Sequence, residues 1–297
     1  MQPHGSKCNI LGSGSGIIAR YSCYMDIVHI IQNIHIERLI QMILSVINQK
    51  GGVAKTTTAA AIGAGLHRRG YSVLYVDLDP QCSLTDITGA DGSGLTVLDV
   101  LTRKATAKAA IQATPQGDII AGSEGVAAEG LLTKTGKEFR LKEALEPVKA
   151  LYQFIIVDCP PSLGILTINA LTAATACIIP AQADRLSLQA LQQFRETYDI
   201  IRRYTNPLLT VQGIVITRYS GRAILSREYA EMIAEAAQGL NTTLYNARIR
   251  ESIAVKEAQA MQQDIFTYSP KSNATADYNS LIDEILERGT DNGKENI

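Results

Sequence analysis

The stretch that decides the fold is Met42-Ile43-Leu44-Ser45-Val46-Ile47-Asn48, followed by Gln49-Lys50-Gly51-Gly52-Val53-Ala54-Lys55-Thr56-Thr57. The first seven residues form an apolar run of strand length. The next segment is a glycine-rich turn. From Thr57 the chain reads as a helix that stops at Gly70. Strand, glycine-rich turn and helix together make an anion site, because loop and helix N-terminal N–H groups point at one place. Gly51 and Gly52 let the backbone approach a phosphate without a Cβ clash. Lys55 then supplies a point charge to the terminal phosphates, and Thr56 a hydroxyl ligand for Mg²⁺. Val53, Ala54 and Thr57 complete the candidate nucleotide loop. The strict pattern Gly-x-x-x-x-Gly-Lys-Ser/Thr is not met, since Gln49 and Ala54 stand at its glycine positions.

Outward from the loop, strands and helices alternate. Residues 71–80 read as a second strand ended by Pro80, and 154–161, 176–182 and 209–217 as further buried strands. A shorter strand lies near 118–122. Helices are expected between them, with a long one over 185–204, another over 224–238 and a closing amphipathic helix over 274–288. The strand runs are rich in Val, Ile and Leu without polar alternation, as in strands covered on both faces. The expected fold is α/β: a doubly wound, mostly parallel sheet with helices on both faces.

Composition supports a globular enzyme-sized domain. Of 297 residues 46% are hydrophobic and 19% charged, and the net charge is −1. That excludes a disordered chain and a histone-like basic protein. No run approaches the roughly 18 uncharged apolar residues of a membrane span. The five cysteines are scattered with no Cys-x-x-Cys pair, which argues against a zinc ribbon. The four histidines lack metal spacing, and His67 reads as a helix C-terminal cap.

Carboxylates stand where a phosphate site needs them. Asp77-Leu78-Asp79-Pro80-Gln81 ends the strand after the loop helix, and Ile155-Ile156-Val157-Asp158-Cys159-Pro160-Pro161-Ser162 ends another. Carboxyl ends of parallel strands face the ligand crevice. With the lysine at the front of the loop, these strings resemble the deviant Walker A, Walker A′ and Walker B motifs of the ParA/MinD family of ATPases, P-loop NTPases of α/β fold. The resemblance covers 42–288 and is nearest to the small, Soj-like ParA proteins.

The resemblance implies a DNA-partition ATPase using ATP and Mg²⁺. Lys55 would hold the phosphates, Thr56 and Asp158 would serve the Mg²⁺, directly or through water, and Asp79 would position the attacking water. Lys50 would reach across an ATP-dependent homodimer to the partner's phosphates. Family members bind DNA non-specifically and answer to a ParB-like partner, in a cytoplasmic, nucleoid-associated setting. Arg222 lies where that group carries a DNA-contacting arginine, and Arg250 is a second candidate. Arg218, Arg227, Arg248, Lys256 and Lys271 are further basic residues of the same half.

Three departures stand out. Ala54 replaces a glycine, which is harmless at negative φ and strained at positive φ. Asn246–Glu251 lacks the proline of the family's adenine turn, so no base contact is carried over. Residues 1–41 are too short for a DNA-binding helix-turn-helix domain and read as a disordered or non-native extension, with Met42 the expected natural start. The polar tail 289–297 is likewise expected to be disordered. The alternative function is a MinD-like membrane-associated or protein-cargo positioning ATPase. That reading needs a basic amphipathic C-terminal helix, whereas Asp277, Asp283, Glu284 and Glu287 make the last helix acidic. An iron–sulfur carrier would need paired cysteines, and Cys159 and Cys177 read instead as buried core thiols.

Overall fold

The computed structural model describes residues 41–127, 135–220 and 224–291. The extension before Gln41, residues 221–223 with Arg222, and the last residues of the polar tail lie outside these. Eight strands form one sheet: β1 (Met42–Val46), β2 (Val73–Asp77), β3 (Ile111–Thr114), β4 (Gly117–Ile120), β5 (Phe154–Asp158), β6 (Ala176–Ala181), β7 (Thr210–Tyr219) and β8 (Leu244–Arg250). Their spatial order is β3-β4-β2-β5-β1-β6-β7-β8. Neighbours are parallel throughout, except the antiparallel β3–β4 pair at one edge. The mostly parallel, doubly wound expectation holds. Strands β2, β5 and β6 are buried at every residue, which is why their sequences run apolar without alternation.

Two strands were not legible. β8 reads Leu-Tyr-Asn-Ala-Arg-Ile-Arg, with only alternate residues buried. An edge strand needs one apolar face, and Asn is a poor strand former, so its signal is weak. β3 reads Ile-Gln-Ala-Thr and is half exposed.

The principal helices are α1 (Lys55–Arg68), α2 (Ser83–Thr88), α3 (Val97–Leu101), α4 (Ala107–Ala110), α5 (Arg140–Leu145), α6 (Ile165–Ala173), α7 (Arg185–Tyr204), α8 (Ile224–Gln238), α9 (Ile253–Ala260), α10 (Ile265–Tyr268) and α11 (Asn273–Asp291). Helix α1 is buried almost all round, from Thr58 to Leu66. It is built from Ala and Gly because it lies between the sheet and α11. A Cβ on Gly63 would stand 2.3 Å from the Tyr75 ring of β2, and one on Gly65 would stand 2.2 Å from Ile282 of α11.

Helix α11 packs as its pattern predicts. Tyr278, Leu281, Ile282 and Ile285 are fully buried. Its acids serve the edge strand: Glu284 accepts the N–H groups of Asn246 and Ala247 at 2.8 and 2.7 Å, and Asp277 accepts that of Arg250 at 3.0 Å. Asp283 pairs with Arg69 of α1's C-cap at 2.7 Å. Otherwise open strand donors are thereby covered. Among the described residues no helix is long and apolar enough to cross a membrane.

Candidate active site

The register of the central strands sets the site. Val46 of β1 and Asp77 of β2 both stand opposite Asp158 of β5. The loop after β1 therefore rises beside two strand-end carboxylates. A cavity of about 390 Å³ opens there, lined by Gly51, Gly52, Ala54, Lys55, Thr56, Thr57 and Asp79 on the loop side. Its far wall comes from Arg218, Ile249, Arg250, Ser252, Lys256, Gln259 and Tyr278. Of the loop residues read from the sequence, Lys50 and the fully buried Val53 do not line it. Arg218, Arg250 and Lys256, read there as candidates for a DNA surface, line this cavity.

Helix α1 begins without a side-chain cap and without an acidic residue in its first turn. Its first N–H groups are thus left for an anion. Gly52 has φ +73°, in the region that favours glycine. The next turn repeats that conformation at Ala54, with φ 64° and ψ 36°. The strained alternative foreseen for Ala54 is the one adopted. The loop is held from outside by three bonds. The Thr217 hydroxyl donates to the Val53 carbonyl at 3.0 Å, the Gln182 amide to the Gly52 carbonyl at 3.2 Å, and Asn48 Nδ2 to the Pro180 carbonyl at 2.7 Å.

Lys55 is buried, and its Nζ lies 3.5 Å from the Lys50 carbonyl. Burial lowers its pKa, opposed by the charges of Asp158, Asp79 and Cys159. Lys50 points elsewhere. Its ammonium is paired with Asp184, donates to Gln182 Oε1 at 2.8 Å and lies 3.5 Å from Ser187 Oγ. Asp184 also caps α7 by accepting the Ser187 N–H at 2.9 Å. This holder, Gln182 and Asp184 on the β6–α7 loop with Ser187 in the first turn of α7, was not found from the sequence.

Asp158 tests the metal expectation. It is fully buried, and neither carboxylate oxygen has a hydrogen-bond partner of good geometry, although the Thr56 hydroxyl is close enough to lower its pKa. Burial, with the charges of Asp77 and Asp79, pushes the carboxyl well above its usual range. An orphaned buried carboxylate costs free energy unless a cation joins it. Thr56 and Asp158 thus fit a Mg²⁺ site, where the ion would supply charge for the phosphates. Asp77, also buried, is raised to about 6 by desolvation, against hydrogen bonds from Thr85 and Asp79.

Comparison with known proteins gives the same reading. The AAA domain family matches residues 41–211. The sporulation initiation inhibitor protein Soj of Bacillus subtilis is 36% identical over 253 residues, covering 83% of this chain and 99% of that protein. The chromosome partitioning protein ParA of Caulobacter vibrioides is 36% identical over 258 residues, covering 84% and 95%.

The chain belongs to the ParA/Soj family of partition ATPases.

As a ParA-type enzyme it hydrolyses ATP with Mg²⁺. A Mycobacterium smegmatis structure with bound ADP and magnesium, described as cobyrinic acid a,c-diamide synthase, superposes with a TM-score of 0.71 at 35% identity, over 83% of this chain and 94% of that one. The cell division ATPase MinD of Pyrococcus furiosus superposes at 0.67 and 26% identity, over 83% and 99%. In this ParA-type chain Cys159 and Cys177 are fully buried, as core thiols, and among the described residues no cluster of three or more His, Cys, Asp or Glu residues could hold a metal. Arg250 is committed to α11: Nε and Nη2 donate to Asp277 at 2.9 and 2.5 Å.

Proposed function

We propose that this ATPase is a DNA-positioning switch that closes as an ATP-bound sandwich dimer, binds DNA without sequence preference and is reset by hydrolysis under a ParB-like partner. The observation that carries the reading is Lys50. It sits on the phosphate loop, yet it does not line the cavity, and its ammonium is held by Gln182 and Asp184 after β6. A lysine of that kind can serve a second subunit's phosphates, as an arginine finger does in trans. Apolar side chains exposed at the starts of α7 and α8 support a closing face: Leu186 is 61% exposed, Ile224 66% and Leu225 62%. They follow the carboxyl ends of β6 and β7, on the cavity's side of the sheet.

Within one subunit, Lys55 and the loop amides hold the phosphates, Thr56 and Asp158 serve the Mg²⁺, and Asp79 orients the attacking water. ATP closes the dimer and hydrolysis opens it. Arg222 and Arg250 are the residues proposed to meet DNA. The commitment of Arg250 to Asp277 makes Arg222 the first to test. Contacts to phosphates give steep salt dependence and little sequence preference. The setting is the cytoplasm, on the nucleoid.

The test is binding of Asp79→Ala protein to random-sequence duplex DNA in Mg-ATP and in Mg-ADP, at low and moderate salt. ATP-dependent, salt-sensitive binding supports the switch. Equal binding in both nucleotides, or none, removes DNA as the switched surface and favours positioning of a protein cargo or a membrane-bound role. Liposome co-sedimentation separates those two. The acidic side chains of α11, turned to β8 and Arg69, weigh against an anionic lipid surface.

A further inference from the structure

The turn carrying Asp79 folds around a carboxylate that does not line the cavity. Asp77, the last residue of β2, is fully buried. Its Oδ1 accepts the N–H of Asp79 at 3.2 Å. Its Oδ2 accepts both the N–H and the hydroxyl of Thr85, in α2, at 2.9 and 2.7 Å. The Thr85 oxygen in turn accepts the N–H of Gly122, just past β4, at 2.7 Å. Gly122 lies so close that a Cβ there would stand 2.9 Å from the Asp77 carboxylate.

We propose that Asp77 and Thr85 are positioning residues for hydrolysis: a relay from Gly122 through Thr85 to Asp77 fixes the backbone of Asp79 and so aims its carboxylate. The proposal rests on the reading that Asp79 orients the attacking water. Asp79 Oδ1 is taken by the Gln81 N–H at 3.0 Å, and the Cys82 N–H closes the turn on the Asp79 carbonyl at 2.9 Å. With those bonds made, the aim of the Asp79 carboxylate, which lines the cavity, depends on where the turn's first N–H is held, and Asp77 holds it. A buried carboxylate is a costly way to fill space. Three donors converging on Asp77, one of them from Asp79 itself, give it a use that an apolar residue could not supply. Small displacements of a catalytic group lower turnover while leaving phosphate binding intact.

The experiment compares Thr85→Val, which keeps the volume and deletes the hydroxyl, with Thr85→Ser, which restores it. Steady-state hydrolysis of Mg-ATP and equilibrium binding of a fluorescent ATP analogue are measured on the full chain. Loss of the hydroxyl, with its bonds to Asp77 and from Gly122, predicts a fall in kcat of about tenfold for Thr85→Val, with KM and Kd for ATP unchanged. Thr85→Ser is expected to turn over as the parent does. Should Thr85→Val fail to fold, Asp77→Asn, which keeps the size and one acceptor, carries the same expectation. A parental kcat in Thr85→Val, an equal fall in both Thr85 variants, or a loss of ATP affinity matching the loss of kcat overturns the relay. Asp79→Ala tells the two failures apart. If it hydrolyses ATP normally, the role given to Asp79 fails; if it is inactive while Thr85→Val is normal, only the relay fails.

Discussion

The ammonium of Lys50 rests on the carboxylate of Asp184, the residue that also caps helix α7. A lysine proposed to act in a second subunit is thus held within its own. Removing either partner has opposite consequences. Lys50→Ala is expected to bind ATP and stay monomeric. Asp184→Asn frees the lysine and is expected to raise the ATP-dependent dimer fraction. Light scattering in Mg-ATP reads both, and normal ATP dimers in Lys50→Ala reject the assignment.

The same pair has a pH signature. Burial by itself would raise the Asp184 carboxyl. The Lys50 hydrogen bond and charge, with the Ser187 bonds, outweigh burial and hold it below its ordinary 3.8. A carboxyl depressed on folding contributes stability above its unfolded value, lost as pH falls through its folded value. On acidification the pair is therefore kept from neutral pH down to below pH 3.8. Carbon NMR titration of Asp184 is expected to show a midpoint under that figure, which Lys50→Ala moves upward.

Ala54 sits in the left-handed region at φ 64°. A Cβ there costs roughly 1–2 kcal/mol, and glycine regains most of it against about 0.4–1 kcal/mol from the greater entropy it gives the unfolded chain. Ala54→Gly is expected to raise the denaturation midpoint slightly and to tighten ATP binding. A lower midpoint in urea contradicts the strain.

Asp158 is buried with both oxygens unpaired. Asp158→Asn removes a buried carboxylate whose desolvation the nearby Lys55 and Thr56 do not outweigh. The variant is expected to be at least as stable as the parent without nucleotide. Its melting temperature rises no further in Mg-ATP than in ATP with EDTA, whereas the parent's does. A full Mg²⁺-dependent rise in the variant removes Asp158 from the metal site.

Gly63 allows α1 to lie against Tyr75, whose hydroxyl donates to the Ala60 carbonyl at 3.0 Å. Because the ring is buried and tied, it cannot yield as a flexible chain end would. Gly63→Ala is expected to cost about 1–3 kcal/mol by overpacking. Gly94→Ala, with nothing within 4 Å of its Cβ, serves as the control. Equal urea midpoints for the two variants contradict this packing.

What the chain's order of residues determined by itself was local. The run from Met42 to Thr57 is contiguous, so strand, turn and helix could be read from the order of residues, and the likeness of the loop to the deviant Walker A motif added the roles expected of Lys55 and Thr56. Asp77, Asp79 and Asp158 were legible because strand-end carboxylates of a parallel sheet face one crevice. The buried strands were legible because Val, Ile and Leu without alternation mean cover on both faces. Tertiary structure alone decided the rest. Lys50 and Asp184 stand 134 residues apart, Arg250 and Asp277 27 apart, and Thr85 and Gly122 37 apart. Each pair meets through strand register and helix packing, which no local period encodes. The sign of φ at Ala54 belongs with them. Bonds from Gln182 and Thr217 to neighbouring carbonyls of the loop set its path, and those bonds come from the end of β6 and from β7, which follow β1 in the sheet order but stand 130 and 164 residues later in the chain than the carbonyls they reach.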